Sequence, residues 1–263
     1  DLVRSRGLGD VYKRQVLTLP TADGKIQAED IDRYVTDFFA DETWEHMVEP
    51  GMVYISFPTE LGTLYSRKEL EDIHAVCRRH QIPLYIDGAR LGYGLASPKC
   101  DVTLPDIARL ADIFYIGGTK QGALFGEAIV SRHPDIIPRI LSLIKQHGAL
   151  LAKGRLLGLQ FLTLFTDGCY MRYSQWAIVH AMELRRVMTE NGFPLFADSP
   201  TNQQFFVLPN TVIDRLAESV QFEYWGPRGP ESTPVRLVTS WATSDADIAT
   251  LAKMIQGLRK TAK

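Results

Sequence analysis

Pro83–Leu95 reads PLYIDGARLGYGL, and Asp112–Val130 reads DIFYIGGTKQGALFGEAIV. Each stretch opens on a short apolar run and then breaks into glycine and polar residues: Asp87-Gly88-Ala89-Arg90 in the first, Gly117-Gly118-Thr119-Lys120 in the second. An apolar run of strand length that stops at a turn signal fits a strand buried in a parallel sheet. Working outward, Met52–Phe57 (MVYISF) is a third such run, followed by a loop over 58–65. Ser66 with Glu69 then forms a capping box, and the helix it opens buries Leu70, Ile73 and Cys77 on one face. Thr103 with Asp106 marks a further helix start. Strands alternating with helices give an α/β fold: a mainly parallel sheet flanked by helices on both faces, joined by right-handed crossovers.

Further from the centre, Ala28–Ala40 has helical spacing through Ile31, Tyr34, Phe38 and Phe39. Val16–Pro20 reads as a short strand, and Ala123–Val130 as a fourth strand of the sheet. Beyond Pro134 the pattern turns to long helices, roughly 135–165 and 170–191. A smaller C-terminal α/β region follows, with strands at Gln204–Leu208 and Val235–Thr239 and a closing helix over Asp245–Leu258. Residues 1–15 (DLVRSRGLGDVYKRQ) are Arg/Gly-rich and without period, so they read as disordered or foreign to the fold. The expected organisation is therefore 1–15 outside the fold, a large domain over 16–168 and a small domain over 169–263.

Composition narrows the function. The chain has 263 residues, 45% hydrophobic and 23% charged, as in an ordinary globular protein with a sizeable core. Lys+Arg of 29 against Asp+Glu of 31 leaves a net charge of −2, so a nucleic-acid partner is not expected. No uncharged stretch is long and apolar enough to span a bilayer, and no secretory signal opens the chain, so no membrane partner is expected. Cys77, Cys100 and Cys169 lie far apart without a CxxC, which suggests free thiols, a reducing compartment and a cytoplasmic location.

In open parallel sheets, ligands bind just beyond the C-terminal ends of the strands. Two such ends here carry DGAR and GGTK. Lys120 is the only charged residue between Ile113 and Gly126, a setting that can depress an amine and ready it to form a Schiff base with a carbonyl. Taken singly, Lys120 reads as a loop lysine, Asp87 as a helix N-cap and Arg90 as a solvated side chain. Taken together at successive strand ends, they point to a cofactor site.

PLYIDGARLGYGL followed by DIFYIGGTKQGALFGEAIV resembles the core of threonine aldolases and aromatic amino acid β-eliminating lyases, pyridoxal 5'-phosphate (PLP) enzymes of the aspartate aminotransferase fold. VYISFPTELGTLYS, KQHGALLAKGR and PVRLVTSW support the resemblance, which runs from about Val16 to the C-terminus. It implies that Lys120 holds PLP covalently and that Asp87 pairs with the pyridinium nitrogen. It also implies that Arg90 lies near the cofactor and, with Arg236, binds the substrate carboxylate, and that Thr119 and Thr59 contact the cofactor. The implied reaction cleaves the Cα–Cβ bond of a β-hydroxy-α-amino acid to glycine and an aldehyde, in a homodimer or homotetramer. The alternatives are β-elimination or aminotransfer on the same scaffold, or a non-catalytic remnant. That last alternative arises because the family's phosphate loop and ring-stacking side chain come from upstream of the aspartate and are not recognisable here. The expectation is accordingly an N-terminally truncated or misassembled product, with an incomplete PLP-binding domain.

Other motifs do not fit. GGTKQG is not a P-loop, because Thr119 precedes Lys120 where the motif needs a hydroxyl residue after the lysine. No GxGxxG follows a strand and no GxSxG elbow is present. His74, Cys77 and His80 do not share one helix face well, so no metal is expected. Lys145, Lys153 and Arg155 form a basic run that reads either as a solvated face or as part of a subunit interface.

Overall fold

The computed structural model describes residues 15–261. Apart from Gln15, the segment expected to be disordered or foreign lies outside the described residues. The first sheet is built from β1 (Val53–Ser56), β2 (Leu84–Asp87), β3 (Ile113–Gly117) and β4 (Glu127–Ser131), in that spatial order. β1, β2 and β3 run parallel, with Ser56 level with Asp87, and β4 returns antiparallel to β3. One face is covered by α1 (Ala28–Ala40), α2 (Arg67–Arg79) and α4 (Leu104–Leu110). There Leu70, Ile73, Cys77 and Ile107 pack with Ile55, Leu84, Ile86 and Phe114 in one buried cluster. Full burial of such aliphatic side chains contributes roughly 1.5–3 kcal/mol each.

The Ser66 capping box closes, and the helix start at Thr103 proves to be a second one. Ser66 accepts the Glu69 N–H at 3.2 Å while the Glu69 carboxylate accepts the Ser66 N–H at 2.7 Å, and Thr103 with Asp106 repeats the arrangement. Asp112, buried at the entry to β3, accepts the Leu84 N–H at 2.8 Å and the Arg78 guanidinium at 2.5 Å. That ties the starts of β2 and β3 together and fixes their register, with Ile86 level with Phe114.

The opposite face of the sheet carries Tyr54, Tyr85 and Asp87, with Tyr54 stacked on Tyr85 at 5.3 Å. Tyr54 and Ile129 remain exposed, so this face is less covered than the sequence suggests. Three further expectations need correction. Val16–Pro20 is not a strand among the described residues; its Leu19 packs against the core. β4 starts at Glu127 rather than near Ala123, because Gly122 (φ +102°) and Gly126 (φ +84°) hold left-handed turns that a strand does not tolerate. The helix expected over 135–165 is broken into α5 (Ile140–Gln146) and α6 (Arg155–Phe165), with Arg139 (φ +55°) and Gly148 (φ +68°) in left-handed conformations at the breaks.

A second sheet is wholly antiparallel, in the order β5 (Leu195–Ala197), β6 (Gln203–Pro209), β8 (Ser232–Val238), β7 (Glu223–Tyr224). Its core joins Phe206, Leu208, Val235 and Leu237 to Ile213 of α8 (Asn210–Leu216) and Ile255 of α9 (Asp245–Thr261). The long helix α7 (Cys169–Glu190) serves both cores: Tyr170 belongs to the first, and Leu184, Val187 and Met188 to the second. Between them Ala177 and Ile178 pack on Tyr93, from the short α3 (Leu91–Leu95).

Candidate active site

The C-terminal ends of β2 and β3 press together. The Gly117 N–H donates to the Gly88 carbonyl at 2.9 Å. A Cβ at Gly88 would lie 1.9 Å from the Tyr115 carbonyl oxygen, and one at Gly117 would lie 2.3 Å from the Ala89 carbonyl oxygen. Only glycine fits at either position, which is the physical reason for the DG and GG pairs. Tyr170 pins the two turns from behind: its hydroxyl accepts the Gly92 N–H at 3.1 Å and donates to the Gly117 carbonyl at 3.0 Å. Glu127 holds the second turn from the side, accepting the Gly118 N–H at 2.7 Å and the Thr119 hydroxyl at 3.0 Å. The buried Tyr93 hydroxyl, pushed up to about 12 mainly by desolvation, bonds the carbonyl of Lys120.

These contacts set Asp87 and Lys120 within electrostatic reach of each other. Asp87 accepts the Ala89 N–H at 2.9 Å on one oxygen and the Tyr54 hydroxyl on the other, and the Tyr115 hydroxyl also hydrogen-bonds it. Burial, and then the hydrogen bond to Asp87 with its charge, hold the Tyr54 and Tyr115 hydroxyls well above their ordinary range. Lys120 is exposed as a residue, yet surrounding protein partly desolvates its amine. Desolvation, and next the Arg90 charge, lower that amine below the usual lysine range, outweighing Glu60 and Asp87, which act the other way.

Arg90 and Arg236 converge from opposite elements. Arg90, largely buried and itself lowered by desolvation, lies 3.5 Å from a Glu60 oxygen. Arg236, 7% exposed in the middle of β8, stands 5.0 Å over the Trp225 ring and donates to Gln203 Oε1 at 2.5 Å and to Glu223. Its second ion-pair neighbour is the same Glu60, at 3.9 Å. Gln203 in turn reaches the carbonyls of Thr59 and Glu60 at 3.5 Å each, fastening the loop after β1 to the second sheet.

The two threonines are less well placed. The Thr59 hydroxyl is 2.6 Å from that of Thr63 inside its own loop, and the Thr119 hydroxyl is turned to Glu127. Lys120, Asp87, Arg90 and Arg236 are thus gathered in one region, while Thr59 and Thr119 engage protein partners. Glu60, Glu127, Tyr93 and Tyr170 went unrecognised in the sequence. A charged residue opening an apolar strand, as in GEAIV, was the one available signal for Glu127. The tyrosines act across distances that local pattern does not report.

His74 and His80 serve separate partners: the first contacts the Leu110 carbonyl at 2.7 Å, the second Asp32 at 2.6 Å. The three cysteines are free, and no helix among the described residues is long and apolar enough to cross a membrane.

The donor set suits an aromatic aldehyde cofactor with a basic ring nitrogen. It offers an amine with a lowered pKa and a carboxylate that already accepts hydrogen bonds, both at the C-terminal ends of neighbouring strands on turns that only glycine can form. Two arginines nearby can grip a carboxylate.

Comparison with known proteins speaks to the family and the fold. The beta-eliminating lyase family model matches residues 4–208. The low specificity L-threonine aldolase of Pseudomonas aeruginosa is 32% identical over 174 residues, which is 66% of this chain and 48% of that protein. The chain therefore spans about half the length of that relative. The solved Leishmania major threonine aldolase superposes with a TM-score of 0.88 at 40% identity, covering 93% of this chain and 70% of that one. A structure described as SPT with its PLP internal aldimine superposes with a TM-score of 0.62 at 16% identity, over 89% of this chain and 59% of that one, and speaks to the fold alone.

Proposed function

Since this chain belongs to the beta-eliminating lyase family, we propose that it acts with PLP as a carbon–carbon lyase, cleaving a β-hydroxy-α-amino acid to glycine and an aldehyde. The observation that carries the reading is the meeting of Lys120, Asp87 and Arg90 at the ends of β2 and β3. The likeness to two threonine aldolases favours this bond cleavage over β-elimination or aminotransfer.

PLP, when bound, supplies a sink for the electron pair released at Cα. Lys120 would hold it through the side-chain amine, whose lowered pKa keeps more of the amine neutral and nucleophilic at a given pH. Asp87 would accept the ring N–H and keep that nitrogen protonated. Its bonds from Ala89 and Tyr54 fix the carboxylate's orientation, so little reorganises on binding. Arg90 and Arg236 would grip the substrate carboxylate and so set the angle of the Cα substituents to the ring, a contribution made through positioning. Thr119 belongs to the same proposal as a cofactor contact, since its hydroxyl retains acceptor capacity. Thr59 would contact the cofactor through what remains free of its bond to Thr63.

The larger unit over 16–168 would hold the cofactor, and the smaller one over 169–263 would contribute Arg236; the separate cores of the two sheets support this division. Assembly into a dimer or tetramer is part of the reading, supported by the exposed Leu124, Leu159, Leu162 and Phe165 beside the basic Lys153 and Arg155. The substrate is a small amino acid, and the place of work is the cytoplasm.

The test is product analysis. Incubation with threonine and PLP should yield glycine and acetaldehyde in equal amounts, above a no-protein control. Ammonia with pyruvate from serine, or with 2-oxobutyrate from threonine, and no glycine, would favour β-elimination. No product from any amino acid would favour the non-catalytic remnant.

A further inference from the structure

We propose that Glu60 is a built-in competitor for the two-arginine clamp: its carboxylate bridges Arg90 and Arg236, and an incoming ligand carboxylate must displace it. This rests on the reading of that pair as the carboxylate site.

One oxygen of Glu60 lies 3.5 Å from the Arg90 guanidinium and the other 3.9 Å from that of Arg236, so one carboxylate spans two cations. That is the geometry a substrate carboxylate needs. The three side chains differ in how firmly they are held. Arg90 and Arg236 are 13% and 8% exposed, whereas Glu60 is 64% exposed. The Glu60 backbone is secured independently of its side chain: its carbonyl and that of Thr59 face Gln203 Nε2, and the Gly62 N–H closes the turn onto the Thr59 carbonyl at 2.8 Å. The carboxylate can therefore swing to solvent while the loop stays in place.

Two guanidiniums facing each other with little solvent need a counter-anion when no ligand is present. Glu223, on the paired strand β7, ion-pairs with Arg236 and acts on Arg90 only through its charge, so it does not bridge the two. It can stay in place when Glu60 leaves, and Arg236 then keeps one ion pair alongside its bond to Gln203. Asp87 and Lys120 also act on Arg90 or are acted on by it, but the bridging position belongs to Glu60. A ligand carboxylate thus gains two arginines at the expense of a contact already made. It also meets the displaced negative charge at the mouth of the site. Glu60 therefore lowers affinity for carboxylates in general, and lowers it most for ligands that carry a second one.

The test is titration with sodium acetate at constant ionic strength, followed by tryptophan fluorescence, because Trp225 lies under Arg236 and reports on the clamp. Acetate has no amine, so the reading is independent of cofactor chemistry. Glu60→Gln keeps the shape and removes the charge, and it should bind acetate about fivefold tighter than the parent, in line with the loss of a partly exposed ion-pair competitor. Glu60→Ala should show the same gain, and Arg236→Lys in the Glu60→Gln background should abolish it. Malonate should gain more than acetate from Glu60→Gln. Unfolding curves for the Glu60 variants should match the parent, which keeps a misfolded variant from passing as a result. Acetate affinity unchanged or weaker in both Glu60 variants, with Arg236→Lys still weakening it in the parent, would overturn the role of Glu60 and leave the clamp standing. Acetate binding indifferent to Arg90→Lys and Arg236→Lys, or absent from every protein, would overturn the clamp and this inference together.

Discussion

The first sheet and the second hold their candidate site residues in opposite ways. Asp87 and Lys120 project from the ends of parallel strands, on turns so tight that glycine is obligatory beside each. Arg236 sits in the middle of an antiparallel strand, buried among Trp225, Gln203 and Glu223. At a strand end the backbone itself aims the side chain, and its position is announced by an apolar run that stops at glycine. A buried mid-strand cation needs a surrounding set of partners, and these come from residues 203 and 223, far away in sequence. The first kind of site can be read from local pattern; the second is visible only through resemblance or structure.

If the strand ends carry the chemistry and the buried arginine carries binding, substitutions should separate the two. The largest effect is expected at Lys120. Lys120→Ala should lower aldol cleavage on the order of 10³-fold or more, because it removes the amine that would hold the cofactor. Asp87→Asn should follow, at roughly 10²-fold in kcat with little change in KM, since it removes an electrostatic effect exerted on the ring. Arg236→Lys should instead raise KM about tenfold and leave kcat within a few-fold, because a point charge replaces a planar fork. Steady-state kinetics on the three variants checks the division. A kcat collapse in Arg236→Lys with KM unchanged would erase the distinction between the regions.

Smaller effects sharpen it. Tyr170→Phe strips the shared hydroxyl from the Gly92 N–H and the Gly117 carbonyl, leaving two buried backbone groups without it. That should cost about 1–3 kcal/mol and lower Tm by several degrees in a thermal melt. Arg90→Met removes a positive charge that lowers the Lys120 amine pKa. The folded amine is then easier to protonate, so its pKa rises toward the ordinary lysine value. The pH midpoint for its reaction with an aldehyde reagent should accordingly move to higher pH. A midpoint that stays put or falls would show that Arg90 does not act on Lys120.

Much of the first sheet was legible because its signals are local. PLYI, DIFYI and MVYISF each lie in one continuous run, and the Ser66–Glu69 capping box and the Thr103–Asp106 helix start are four-residue patterns that the structure reproduces. The helix expected over 135–165 failed because apolar spacing continues through it while single residues at 139 and 148 turn left-handed. The two-residue β7 is too short to leave a pattern. Glu60 escaped notice because an exposed loop acid has no signature until two buried arginines are found beside it. Tyr170 escaped for the same reason in reverse: its hydroxyl serves backbone groups 53 and 78 positions away.

On the proposed reading one amine, at position 120, receives the cofactor, with the acid at position 87 opposite. Incubation with PLP, borohydride reduction and peptide mapping is the decisive experiment. A pyridoxyl group is expected on Lys120 far in excess of the other lysines, together with a visible absorption band that disappears in Lys120→Ala. Label spread evenly over surface lysines, with the band unchanged in that variant, would contradict it.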